Sequence, residues 1–113
     1  MKCLFDLLSQ LHKAIPTEFT LTHERRKHIL EHPEMKGQLK RIYETLRLPD
    51  VVRKSLRSDD ILIFYKWYTN SPVTEKFMAV VVKLVNGKGL ILTAYYTNRL
   101  KPGESIWEKQ EVK

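Results

Sequence analysis

Leu4, Leu7, Leu8, Leu11 and Ile15 recur at helical spacing, which predicts an amphipathic helix over residues 2–15 ended by Pro16. Phe19 and Leu21 then alternate with Glu18, Thr20 and Thr22, a short strand pattern that stops where the Thr22 hydroxyl can cap a following helix. Helix-favouring residues run from His23 to His32, and Pro33 forces a break. A further helix is predicted from Glu34 to Leu48, with Leu39, Ile42, Tyr43 and Leu46 as its buried stripe and Gly37 a weak point in its first turn.

After Pro49-Asp50 the apolar period changes from 3.6 to 2. Strands are expected at Val51–Leu56, Ile61–Thr69, Phe77–Val85 and Leu90–Thr97, separated by turns at Ser58-Asp59-Asp60, Asn70-Ser71-Pro72 and Asn86-Gly87. Lys101-Pro102-Gly103 breaks the last strand, although Ile106 and Trp107 indicate that the charged tail docks somewhere. The order predicts a single α+β domain over 1–113, with two or three N-terminal helices packed on one face of an antiparallel sheet of about four strands. Its core is expected at 18–107, with the 2–15 helix and the 108–113 tail peripheral, and the second sheet face is left free for a site.

The chain has 113 residues, of which 42% are apolar and 10% aromatic, enough to exclude intrinsic disorder. Twenty Lys and Arg against 13 Asp and Glu leave a net charge of +7, which favours a polyanion as partner. The lone Cys3 cannot form an internal disulfide, so a reducing compartment is expected. Asp6 interrupts the first apolar run, which argues against a secretory signal, and no apolar stretch is long enough to span a membrane. A cytoplasmic domain without membrane contact is the resulting expectation.

The segment His23–Glu34, HERRKHILEHPE, carries the densest candidate chemistry. His28 and His32 are four apart and share a helical face, with Glu24 one turn earlier and Arg25 three residues before His28. Imidazoles exchange protons near neutral pH and a guanidinium braces a phosphate, a combination suited to phosphodiester cleavage, although solvated residues on an exposed helix would read the same way. The same histidine pair could begin a metal site, but no third ligand is evident, and no metal or cofactor is expected.

On the strands, Tyr65, Lys66, Trp67 and Tyr68 interleave aromatic and basic side chains, Tyr65 and Trp67 facing one way and Lys66 and Tyr68 the other. Such aromatics either stack on unpaired bases or simply pack across neighbouring strands. Thr93, Tyr95 and Thr97 line one strand face as a row of hydroxyls that needs partners, whether phosphate oxygens or one another. Lys83 interrupts the apolar run from Val80 to Val85 and must reach either solvent or an anion. A plain loop at Asn86–Gly89 would put Lys83 and Thr93 on opposite faces, and a bulge at Gly89 would bring them together.

Taken together, HILEHPE from His28, ETLRLPD from Glu44, VVVKLV and LTAY from Leu92 resemble the small phage and mobile-element nucleases of the barnase, EndoU, colicin nuclease and RelE-like (BECR) superfamily. The resemblance covers residues 18–107. It implies metal-independent RNA cleavage, as a toxin or phage effector with an acidic antitoxin or immunity protein as a further partner. Carried over by position, it puts His28 and His32 in the catalytic places, Arg25 beside them, and Thr93 and Tyr95 completing the site, with Lys83 a further member. In that scheme one imidazole takes the 2′-hydroxyl proton, the other protonates the leaving 5′-oxygen, and a cyclic phosphate results. Arg25 or Lys83 would stabilise charge on phosphorus, and Tyr65, Lys66 and Trp67 would bind the strand. Two rivals are a non-catalytic RNA-binding module using the Tyr65–Tyr68 strand, and a protein-interaction domain of the same fold.

Overall fold

The computed structural model describes residues 15–72 and 74–109. The expected 2–15 helix, except Ile15, and the tail from 110 lie outside the described residues. The chain runs through β1 (Phe19–Thr20), α1 (His23–Leu30), a 3-10 turn (Pro33–Met35), α2 (Leu39–Arg47), β2 (Val51–Ser55), β3 (Ile61–Ser71), β4 (Thr74–Val85), β5 (Lys88–Thr97) and β6 (Gly103–Glu108). Thr22 caps α1 as its sequence position suggests, its hydroxyl accepting from the Arg25 amide at 3.2 Å.

The long helix expected from Glu34 does not form, because Gly37 takes a left-handed φ of 75°, a conformation no α-helix contains, and α2 starts only at Leu39. Its buried face is Ile42, Thr45 and Leu46, whereas Tyr43, assigned to the stripe, is 48% exposed. Thr45 is tolerated there because its hydroxyl donates back to the Arg41 carbonyl at 2.7 Å.

The expected four-stranded antiparallel sheet with two or three helices on it is not what the chain forms. The sheet is mixed and six-stranded, in the order β1-β5-β4-β3-β2-β6, with only two short helices among the described residues. The two outer strands account for the difference. β1 adds in parallel beside β5, where the Gly89 amide donates to the Glu18 carbonyl at 2.8 Å and the Phe19 ring meets Phe64 edge-on at 5.6 Å. β6 pairs antiparallel with β2 at the far edge, and its register slips between Ser105 and Trp107. Ile106 is therefore the extra residue of a bulge, which puts two apolar residues in succession and erases the alternation that would have marked a strand.

The helices bury one face of the sheet. Ile29 of α1 and Ile42 and Leu46 of α2 pack with Val52, Leu62, Phe64, Met78, Val80, Val82, Ile91 and Ala94. The alternate residues form a second, smaller cluster on the other face, with Ile63, Tyr65 and Ala79 buried among Val51, Phe77, Val81, Tyr95 and Leu100. Among the described residues no helix crosses that face, and the connection from β5 to β6, residues 98–102, passes over it. No helix among the described residues is long and apolar enough to cross a membrane.

The β4–β5 hairpin settles the parity question raised by the sequence. Asn86 and Gly87 have φ of 53° and 79°, a two-residue turn pairing Val85 with Lys88. A bulge then occurs at Leu92, not Gly89, so that Thr93 opposes Val81 and shares a face with Lys83.

Candidate nucleic-acid interface

The helix histidines and the strand hydroxyls do not meet. α1 is attached to the helical face of the sheet through Ile29 and ends at Leu30, short of the expected His32, so that His28 lies on the helix and His32 in extended backbone beyond it, both exposed. Their rings lie edge to face at 6.3 Å, and His28 Nδ1 is 3.9 Å from a Glu31 carboxylate that is itself mostly exposed. Arg25 is exposed on the same helix. Thr93 and Tyr95 belong to the opposite face, because the Leu92 bulge pairs Thr93 with Val81 and Tyr95 with Ala79. The sheet thus stands between the imidazoles and the hydroxyls, and the catalytic grouping of His28, His32, Arg25, Thr93 and Tyr95 is not assembled.

The proposed substrate-binding residues also divide. Lys66 lies on the helical face, opposite Met78, and donates to the Leu48 carbonyl at 3.0 Å, away from Trp67. Tyr65 is fully buried, which removes it as a stacking surface. Its hydroxyl accepts from the Lys101 amide at 2.9 Å, and burial is the main influence raising its pKa. Trp67 is 40% exposed and keeps an accessible ring. Lys83 is exposed on the same face as Trp67.

What the described residues do gather is on the face opposite α1 and α2. At one end Trp67 and Phe77 sit directly opposite on β3 and β4, ring centroids 4.8 Å apart and steeply inclined, with Thr97 opposite Phe77 on β5. The Asp50 carboxylate fixes this end by accepting from the Trp67 amide at 2.7 Å. At the other end, where β2 turns into β3, a hollow of about 360 Å³ has Ile61, Ile63 and Val81 as its apolar lining and Ser55, Arg57 and Lys101 among its polar residues.

The 98–102 connection divides the two ends. Besides the Lys101–Tyr65 bond, Arg53 donates to the Lys101 carbonyl at 2.9 Å and to the Ser105 hydroxyl at 3.3 Å, and the Lys101 ammonium lies 5.6 Å from the Tyr95 ring centre. Arg53, Arg57, Lys83 and Lys101 make no ion pair with a carboxylate among the described residues, so this face carries cations held by neutral partners or by none. The Tyr95 hydroxyl is buried here with no hydrogen-bond partner among the described residues, and burial raises its pKa.

Phe77, Arg53, Arg57 and Lys101 were missed by reasoning from the sequence. Strand parity could have found two of them, since Arg53 and Phe77 follow once the register to Ile63 and Trp67 is known. A second polar grouping, on the helical face, was also missed. Arg41 of α2 donates to the Tyr96 hydroxyl at 3.2 Å and the Asn70 carbonyl at 2.8 Å, and its guanidinium lies 4.2 Å from the Tyr68 ring centre. Tyr68 in turn donates to Glu44 at 2.7 Å, and Tyr96 to the Gln38 side chain. Burial, then the Glu44 carboxylate, push the Tyr68 pKa well up. These bonds satisfy one another and fasten α2 to the sheet.

No protein-family model, no curated protein and no solved structure matches this chain.

Proposed function

We propose that this protein is a non-catalytic, cytoplasmic RNA-binding module that takes single-stranded RNA on the sheet face opposite α1 and α2. The observation that carries the reading is the exposed Trp67 ring, supported edge-on by Phe77, on a face whose strands and loops also present Arg53, Arg57, Lys83 and Lys101. Aromatic rings on a sheet surface stack on unpaired bases regardless of their identity, and nearby cations follow the phosphates. The net charge of +7 and the lone cysteine fit such a role in a reducing compartment. Cleavage as first expected would need imidazoles and hydroxyls around one phosphate, and the sheet between them argues for binding instead.

The test is titration of a labelled single-stranded RNA followed by gel analysis of the same samples. Binding should weaken with salt, the logarithm of the affinity falling with a slope of about −0.7 for each phosphate neutralised. His28→Ala and His32→Ala should bind as the wild type does, and no product should accumulate. Product formed by the wild type and lost in either histidine variant would replace binding with cleavage. No binding even at low salt would end the RNA reading.

A further inference from the structure

We infer that the hollow between the β2–β3 turn and the 98–102 connection is a nucleotide pocket, receiving one unpaired base on its apolar lining and that nucleotide's phosphate on Arg57 and Lys101. This inference rests on the RNA-binding reading and deepens it, because Trp67 alone offers a surface without sequence preference.

Three observations support the assignment. The volume of about 360 Å³ falls within the range of small-ligand sites. The lining from Ile61, Ile63 and Val81 suits a flat aromatic heterocycle, while the Ser55 hydroxyl accepts from the Arg57 amide at 3.1 Å and keeps its own proton to donate. Neither Arg57 nor Lys101 is ion-paired among the described residues, and Lys83, opposite Ile61 in the register, extends the positive surface by one rung. Apolar lining with unpaired cations complements a ligand that is flat and apolar at one end and anionic at the other, as a nucleoside monophosphate is.

The pocket also lies apart from the aromatic end. Ile61 and Trp67 are six residues apart on β3, about 20 Å at the rise of an extended strand. The Lys101–Tyr65 bond stands between them. A bound strand could then stack one base on Trp67 and insert another beyond the connection, the first contact supplying affinity and the second selectivity.

The experiment titrates the four nucleoside 5′-monophosphates separately into protein labelled at its Ile and Val methyl groups and follows the NMR spectrum. The expected result is saturable shifts at Ile61, Ile63 and Val81, with unequal affinities among the four bases. Arg57→Ala should weaken this binding by about two- to fivefold, the effect of an exposed charge contact. Val81→Trp should fill the hollow, abolish the methyl shifts and equalise the affinities of oligomers of different base composition, while still binding RNA through Trp67. Should Val81→Trp fail to fold, the wild-type titration and Arg57→Ala decide the matter. Shifts confined to residues around Trp67, no saturation by any nucleotide, or equal shifts with a simple alkyl carboxylate would overturn the pocket. Failure of the wild type to bind any RNA oligomer would instead strike the RNA reading, and the mononucleotide titration would still judge the pocket by itself.

Discussion

Replacing Trp67 by Ala removes an exposed aromatic ring from the sheet face opposite α1 and α2. A base stacked on an aromatic side chain is worth about 1–3 kcal/mol, which corresponds to a loss of about 5- to 150-fold in affinity. The structure narrows this range. Trp67 is 40% exposed and its remaining surface lies against Phe77, so truncation uncovers the Phe77 ring directly opposite, and that ring can take over part of the stacking. The lower portion, about 5- to 20-fold, is therefore expected. The backbone should hold, because the Trp67 amide that donates to Asp50 survives the change. Loss of the edge-on pair with Phe77 costs about 0.5–1.5 kcal/mol of stability beyond the buried area, visible as a melting point lower by several degrees but not as unfolding at 25 °C.

The assay is fluorescence anisotropy of a labelled single-stranded RNA at several salt concentrations. Trp67→Ala removes no charge, so its salt slope should equal that of the wild type while the whole line drops. Lys83→Gln should do the reverse, flattening the slope by about 0.7 with a small loss at low salt. Trp67→Phe keeps a π face and should recover most of the affinity. Unchanged affinity in Trp67→Ala with a folded spectrum would refute the stacking argument. So would a change of slope in that variant.

Three further outcomes follow from the same geometry. A Cβ added at Gly103 would run into the Lys54 carbonyl oxygen, a backbone atom of the paired strand that cannot swing aside, so Gly103→Ala should cost about 1–3 kcal/mol, and an unaltered urea midpoint would contradict it. Tyr65→Phe deprives the Lys101 amide of its acceptor and should cost about 1–3 kcal/mol, whereas Tyr95→Phe removes a buried hydroxyl that has no partner among the described residues and should leave stability equal or higher. Equal losses in the two variants would show that the connection does not depend on that bond. The phenols of Tyr65, Tyr68 and Tyr95 all have pKa values raised in the fold above the ordinary 10, so above that pH the unfolded chain sheds protons that the folded chain keeps. Their contribution to stability is complete below pH 10 and is lost as pH rises through the folded values. Denaturation midpoints should fall above pH 10, and absorbance at the tyrosinate band should lag behind that of the unfolded protein.

Much of the central sheet could be read from the sequence because its residues obey one rule at a time. β3 alternates cleanly enough that Trp67 and Lys66 are assigned to opposite faces from spacing alone, as they are in the fold. The Asn86-Gly87 turn follows from the two residues that best tolerate positive φ. What escaped lies where a local rule is interrupted by something distant. Leu92 carries no bulge signal of its own, and only pairing with β4 makes it the unpaired residue, yet that one slip decides the face on which Thr93 and Tyr95 stand. The short strand pattern at Phe19 is legible and its partner is not: Phe19–Thr20 joins the sheet beside β5 at Gly89, whose missing side chain leaves room for the Phe19 ring.

The same reasoning explains why a catalytic grouping could look convincing in the sequence and yet not form. Histidines four apart on a helix report that they share a face, but the face is fixed by whichever apolar residue anchors the helix, and Ile29 is the only buried residue of α1. With Ile29 in the cluster on the helical face of the sheet, the other side of so polar a helix is turned to solvent, and His28 with it. The connection from β5 to β6 then covers part of the opposite face, residues 98–102 passing over Tyr65 on the way to the far edge of the sheet. Both events depend on contacts far apart in sequence, and together they separate the imidazoles of the helical side from the hydroxyls, aromatic rings and cations of the other sheet face.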